Sequence, residues 1–127
     1  MSLIAVVDYG MGNLRSVSKA LEHVAGKDQK VSVTSSPVEI EAADHVVFPG
    51  QGAARDCMLE LEQRNLIDPV LKAAKEKPFL GICMGLQVLL SHSEENGGIA
   101  CMDLFKGEVR FFGNVINPHQ ADQSGEV

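Results

Sequence analysis

Apolar positions fall in two rhythms along this chain. Leu3 to Val7 and Val46 to Phe48 are short unbroken apolar runs, each followed directly by a turn-forming segment. Runs of that length predict parallel strands buried on both faces. Lys30 to Thr34 alternates apolar with polar residues, which predicts a strand nearer a sheet edge. Between the strands the rhythm changes. Leu14, Val17, Leu21 and Val24 recur at helical spacing after Asn13, a good N-cap. Ser36-Pro37 opens a short helix over Val38 to Ala43, proline being favoured at the first helical position. Ala53 to Gln63 puts Cys57, Met58 and Leu61 on one helical face and Asp56, Glu60 and Glu62 outward, so Cys57 reads as a small core residue. Asp68-Pro69 reads as an N-cap and first residue of a further helix, with Val70, Leu71 and Ala74 inward. Strands alternating with helices predict an α/β fold, a three-layer sandwich with a mostly parallel central sheet flanked by helices.

One stretch departs from this plain alternation. Lys77-Pro78-Phe79-Leu80-Gly81-Ile82-Cys83-Met84-Gly85-Leu86-Gln87 reads as a buried strand, a sharp turn with a cysteine at its apex, and a helix start. Gly81 and Gly85 flank Cys83 at −2 and +2, the pattern of a nucleophile elbow with cysteine in place of serine. Glycines there allow a tight turn and close approach of neighbouring chain. A helix N-terminus supplies N–H groups and a dipole that favour a thiolate. The Met84 N–H is placed to donate to an oxyanion. Gln87, four residues after Cys83, faces the same side, and Leu86, Leu89 and Leu90 are expected to bury the helix.

Two glycine-rich turns follow strands. Gly10-Met11-Gly12-Asn13 closes the first, but Arg15 stands where a dinucleotide fingerprint needs its third glycine, and no acidic residue ends the next strand. Pro49-Gly50-Gln51-Gly52 closes the third. Its glycines open unusual orientations to the Gln51 peptide, which makes it a candidate anion-binding loop at the carboxyl end of a strand. Ile99 to Phe105 is ambiguous, with Cys101 structural, and Gly107 to Phe112 reads as a strand. Residues 113–127 have no periodicity and are expected to be poorly ordered.

Composition narrows the function. The chain has 127 residues, enough for one domain, with 45% hydrophobic and 22% charged residues, as in a globular protein. A formal net charge of −6 without a Lys/Arg cluster argues against a nucleic-acid partner. The run Leu3 to Val7 is far too short for a signal peptide or a membrane span. Three cysteines, Cys57, Cys83 and Cys101, lack metal-ligand spacing and point to a reducing, cytoplasmic setting. No metal or cofactor is expected.

The motifs Asp8-Tyr9-Gly10-Met11-Gly12-Asn13, Pro49-Gly50-Gln51-Gly52-Ala53 and Gly81-Ile82-Cys83-Met84-Gly85-Leu86-Gln87 resemble, in order and approximate spacing, the class I glutamine amidotransferases. The opening motif resembles that of glutaminases that serve a cyclase in histidine biosynthesis. The resemblance implies that Cys83 attacks the glutamine side-chain amide and forms a thioester, releasing ammonia. It implies Gln51 and Met84 as oxyanion donors, the former after a peptide flip, and Gly50, Gly52 and Gln87 as the glutamine pocket. It implies a TIM-barrel cyclase subunit as partner, with Gly10, Met11, Gly12 and Asn13 near the interface. The family's base and its orienting acid, an H-x-E pair, are expected later in a chain. His23, His45 and His92 sit on an early helix, a strand start and the far end of the nucleophile helix, and His119 has no acid at +2. The chain, residues 1–127, therefore reads as the N-terminal two-thirds of a single amidotransferase domain, with an incomplete sheet. It is expected to be inactive alone, and its open sheet edge is expected to pair with another copy. Two alternatives stand beside this reading. One is another cysteine-elbow enzyme, which would not call for the PGQG loop or Gln87. The other is a partner-binding remnant without chemistry.

Overall fold

The computed structural model describes residues 1–111. The expectations for His119 and for residues 113–127 lie outside the described residues.

The chain runs β1 (Ser2–Val7), α1 (Leu14–Val24), β2 (Gln29–Thr34), α2 (Pro37–Ala42), β3 (His45–Phe48), α3 (Ala54–Gln63), α4 (Ile67–Glu76), β4 (Phe79–Gly81) and α5 (Met84–Gln87). Short strands β5 (His92–Ser93), β6 (Ile99–Ala100) and β7 (Glu108–Val109) follow, with a single 3₁₀ turn at Glu95–Gly97. The central sheet has the order β2-β1-β3-β4 and is parallel throughout. Its register puts Val6 beside Val33 and Val47, and Phe48 beside Gly81. The expected α/β architecture is therefore present, with β2 at the edge foreseen from its alternation.

Period-two alternation divides the core between the two faces. Ile4, Val6 and Val47 point one way and pack with Leu14, Val17 and Leu21 of α1. Ala5, Val7, Val46 and Phe48 point the other way and pack with Ile40, Cys57, Leu61, Leu66 and Val70. Helix, sheet and helices make the three layers. Aromatic contacts mark the second face: the Phe48 ring centroid lies 5.2 Å from Tyr9 and 5.9 Å from Phe79.

Local capping signals placed the starts of α1 and α2. Asn13 Oδ1 accepts the Ser16 N–H at 3.3 Å, and Ser36 Oγ accepts the Glu39 N–H at 3.4 Å. Several expectations need correction. Asp68 is not an N-cap: α4 starts at Ile67 with Leu66 as its cap, so Asp68 and Pro69 lie inside the first turn. The chain reverses through Asn65, whose φ is 57°, and the fully buried Leu66 then starts the helix by accepting the Val70 N–H. The α1 stripe ends early, since Val24 is exposed. The Pro78-led strand is only three residues long and is an edge among the described residues, where Leu80 is 53% exposed instead of buried. The helix after Cys83 is one turn, so Leu86 is exposed while Met84, Val88 and Leu89 fill the core. The segment from His92 onward forms a second small sheet of order β6-β5-β7, in which β7 lies within the strand expected from Gly107 on, while β5 and β6 were not foreseen.

Candidate active site

Three consecutive strands of the sheet bring their carboxyl ends together here. β1 leads into Tyr9 and the Gly10–Asn13 turn, β3 into Pro49-Gly50-Gln51-Gly52, and β4 through Ile82 to Cys83. Cys83 has φ 54° and ψ −119°, a backbone conformation that non-glycine residues rarely adopt. It holds this geometry because its neighbours are fixed. The Ile82 N–H donates to the Phe48 carbonyl at 3.0 Å, and the Leu86 and Gln87 N–H groups close on the Cys83 carbonyl at 3.0 and 3.1 Å. The elbow is wedged against β3 without room for a side chain: a Cβ on Gly85 would lie 1.9 Å from the Phe48 carbonyl oxygen. The expected elbow is thus present, and its sulfur-bearing residue is exposed.

Cys83 opens onto a cleft of about 350 Å³. Gly50, Gln51, Gly52, Met84 and Gln87 line it with Cys83. Asn13 and Val17 line it as well. The residues named for thiol, oxyanion hole and amide pocket therefore share one cavity. The rest of the Gly10–Asn13 turn lies alongside: a Cβ on Gly12 would stand 3.5 Å from the Gly50 nitrogen, and one on Gly52 would stand 3.1 Å from Met11 Cε.

The loop Pro49-Gly50-Gln51 is held carbonyl by carbonyl. Tyr9 Oη donates to the Pro49 carbonyl at 2.7 Å. The Met84 N–H donates to the Gly50 carbonyl at 3.3 Å. Cys57 Sγ donates to the Gln51 carbonyl at 3.8 Å. The Met84 N–H expected at an oxyanion is thus occupied by the loop itself in this conformation. Burial, with the neighbouring Cys57 adding to it, pushes the Tyr9 hydroxyl far above its ordinary value, and burial pushes the Cys57 thiol up. Both stay protonated donors near neutral pH. Tyr9 was not singled out from the sequence; the available signal was its place as the one tyrosine, two residues past the end of a buried strand.

The described histidines stand apart from this cleft. His23 is exposed on α1 and His45 starts β3, at the end of the sheet opposite Cys83. The letters His-x-Glu do occur at His92-Ser93-Glu94, but His92 and Glu94 line a separate cavity with Arg110 and Phe111. Among the described residues none of the three histidines lines the Cys83 cleft, and no cluster of His, Cys, Asp or Glu could hold a metal ion.

The family model described as "Glutamine amidotransferase class-I" matches residues 5–124. The chain belongs to the class I glutamine amidotransferases. Within that family it is similar to the protein named imidazole glycerol phosphate synthase subunit HisH. The HisH of Nitrosococcus oceani is 61% identical over 112 residues, covering 88% of this chain and 53% of that protein. The HisH of Thiobacillus denitrificans is 61% identical over 118 residues, covering 93% of this chain and 49% of that protein. HisH 1 of Pseudomonas aeruginosa is 51% identical over all 127 residues, 58% of its own length. The chain spans about half the length of the curated relatives it matches.

Proposed function

We propose that this chain carries the nucleophile half of a glutaminase that delivers ammonia to the cyclase subunit of imidazole glycerol phosphate synthase. The observation that carries the proposal is the Cys83 elbow, strained and exposed, facing Gly50-Gln51-Gly52 across a cleft large enough for a glutamine side chain. In the reaction, Cys83 Sγ attacks the carboxamide carbon. A C–S bond forms and the carbonyl π electrons move to oxygen, where the Met84 and Gln51 N–H groups receive the charge. Collapse breaks the C–N bond, and the thiol's proton leaves with the nitrogen as ammonia. Water then cleaves the thioester to glutamate and restores Cys83. Gly50, Gly52 and Gln87 hold the substrate. The proton relay is the part the family assigns to its H-x-E pair.

Oxyanion binding requires the Gly50 carbonyl to leave the Met84 N–H. Rotation of the Gly50–Gln51 peptide does this and turns the Gln51 N–H toward the same point. The Gly10–Asn13 turn, packed on Gly50 and Gly52, is the surface we assign to the cyclase, a TIM barrel. Three free cysteines fit a reducing, cytoplasmic setting.

An electrophilic diazoketone analogue of glutamine tests the pocket. Mass spectrometry should place the label on Cys83, with glutamine protecting. Labelling absent at Cys83 while a small alkylating agent still reacts there would overturn the assignment.

His92 and Glu94 line a cavity separate from the Cys83 cleft, and on that ground we also propose that this chain alone, even with cyclase and its ligand, does not release ammonia. Clear release from the 127-residue polypeptide refutes it. We also propose that β4, an edge among the described residues with Leu80 exposed, pairs with another copy when nothing else covers it. A strictly monomeric species by light scattering at high concentration counts against pairing.

A further inference from the structure

We propose that Tyr9 and Cys57 are positioning residues that clamp the peptides on either side of Gly50–Gln51, so that this one peptide rotates alone. The inference rests on the reading that Cys83 hydrolyses an amide, and it concerns how the oxyanion hole is made.

Three successive carbonyls have three different donors. The outer two, of Pro49 and Gln51, are held by Tyr9 Oη and Cys57 Sγ. Both side chains are fully buried, and Tyr9 is packed against the Phe48 ring. A buried hydroxyl–carbonyl bond is costly to leave unmade, and a thiol is a weaker but real donor. A Cβ on Gly50 would lie 2.4 Å from Tyr9 Oη, so the hydroxyl sits directly against the loop. The middle carbonyl, of Gly50, is held at 3.3 Å by the Met84 N–H. That donor is the one the reaction needs.

With the flanking peptides fixed, the Gly50–Gln51 peptide turns about the line joining its two Cα atoms. The motion changes ψ of Gly50 and φ of Gln51 in opposite senses and leaves the chain on either side in place. Glycine at position 50 makes the ψ change easy. One rotation withdraws the carbonyl from the Met84 N–H and swings the Gln51 N–H in beside it. Without the clamps the turn would spread into neighbouring peptides, and the Gln51 N–H would not be aimed.

Amide hydrogen exchange of this chain by NMR tests the clamp without glutamine. Three variants are compared with wild type: Tyr9→Phe, Cys57→Ala, and Val70→Ala as a destabilised control in α4. The quantity read is the exchange rate of the Met84 amide relative to that of Val6 in β1. We expect the ratio to rise about tenfold in Tyr9→Phe, consistent with the loss of one buried hydrogen bond. It should rise severalfold in Cys57→Ala and stay within twofold in Val70→Ala. If Met84 and Val6 move in step in all three, the two residues are merely structural and the proposal is overturned. Should Tyr9→Phe fail to fold, the contrast between Cys57→Ala and Val70→Ala decides alone. Failure of glutamine-analogue labelling would overturn the enzyme reading and leave this ratio untouched, so the two failures are distinguishable.

Discussion

Gly85 lies against the Phe48 carbonyl so closely that a single added methyl would come within 1.9 Å of the oxygen. The obstacle is backbone of β3, which also accepts the Ile82 N–H, so no side-chain rotation can relieve it. Gly85→Ala should therefore push the elbow off the sheet. The expected cost is about 3 kcal/mol, at the upper end for overpacking a well-packed site. A fall in Tm of roughly 10 °C is the corresponding readout for a domain of this size. A variant as stable as the parent would mean that the elbow does not sit on β3 as described.

The start of α3 shows a second long-range dependence. Ala53 offers no capping side chain, and the Ala54 N–H instead donates to Glu95 Oε2 at 2.8 Å, from a residue 41 positions later. A carboxylate at a helix N-terminus satisfies an orphan donor and complements the dipole. Glu95→Ala should cost about 1 kcal/mol in denaturant unfolding, and Glu95→Gln less than that. Because α3 follows the PGQG loop directly, Glu95→Ala should also speed amide exchange at Ala54. Unchanged exchange there would remove Glu95 as the cap.

These two contacts explain what was and was not legible in the sequence. The strands β1 and β3, the stripe of Cys57, Met58 and Leu61, and the caps Asn13 and Ser36 were readable because each is written within a few residues. The cysteine turn was readable because its two glycines mark it locally. Glu95 on Ala54 and Tyr9 on Pro49 join residues some 40 positions apart, and no local pattern records such a meeting. The start of α4 was misread because Asp68-Pro69 is a good local signal that burial of Leu66 overrode. Leu86 was misread because the stripe assumed a helix several turns long, whereas α5 is one turn. In the small second sheet β7 falls where a strand was expected, but β5 and β6 have two residues each, too short for any period to show.

Alkaline pH should expose the buried Tyr9 and Cys57. Burial raises both groups above their ordinary values of 10.0 and 9.0. The unfolded chain then loses these protons first, and the folded chain binds more of them in the interval. Stability is therefore fully present below about pH 9 and is lost as pH rises further, each group contributing a slope of at most about 1.4 kcal/mol per pH unit. Tyr9→Phe should flatten the decline above pH 10 in urea titrations. In the same series Cys83, being exposed, should be alkylated first at neutral pH, with buried Cys57 slowest. A decline that is unaltered by Tyr9→Phe, or Cys57 reacting ahead of Cys83, contradicts the burial described.

Gln51 is where the loop's rotation meets its own resistance. Gly50 accepts the change in ψ freely, but the same rotation carries φ of Gln51, which is not positive in the resting loop, toward positive values. A side chain makes that region unfavourable by about 1–2 kcal/mol, a factor of 5–30 in population. Gln51→Gly removes the penalty and keeps the N–H. The Met84 amide should then exchange about tenfold faster, with Val6 unchanged, because the Gly50 carbonyl leaves it more often. Gln51→Ala, which keeps a Cβ, should behave as wild type at Met84. Equal rates in the glycine and alanine variants would show that backbone strain at this position does not limit the movement, and that the resting orientation is held by something other than the Met84–Gly50 bond.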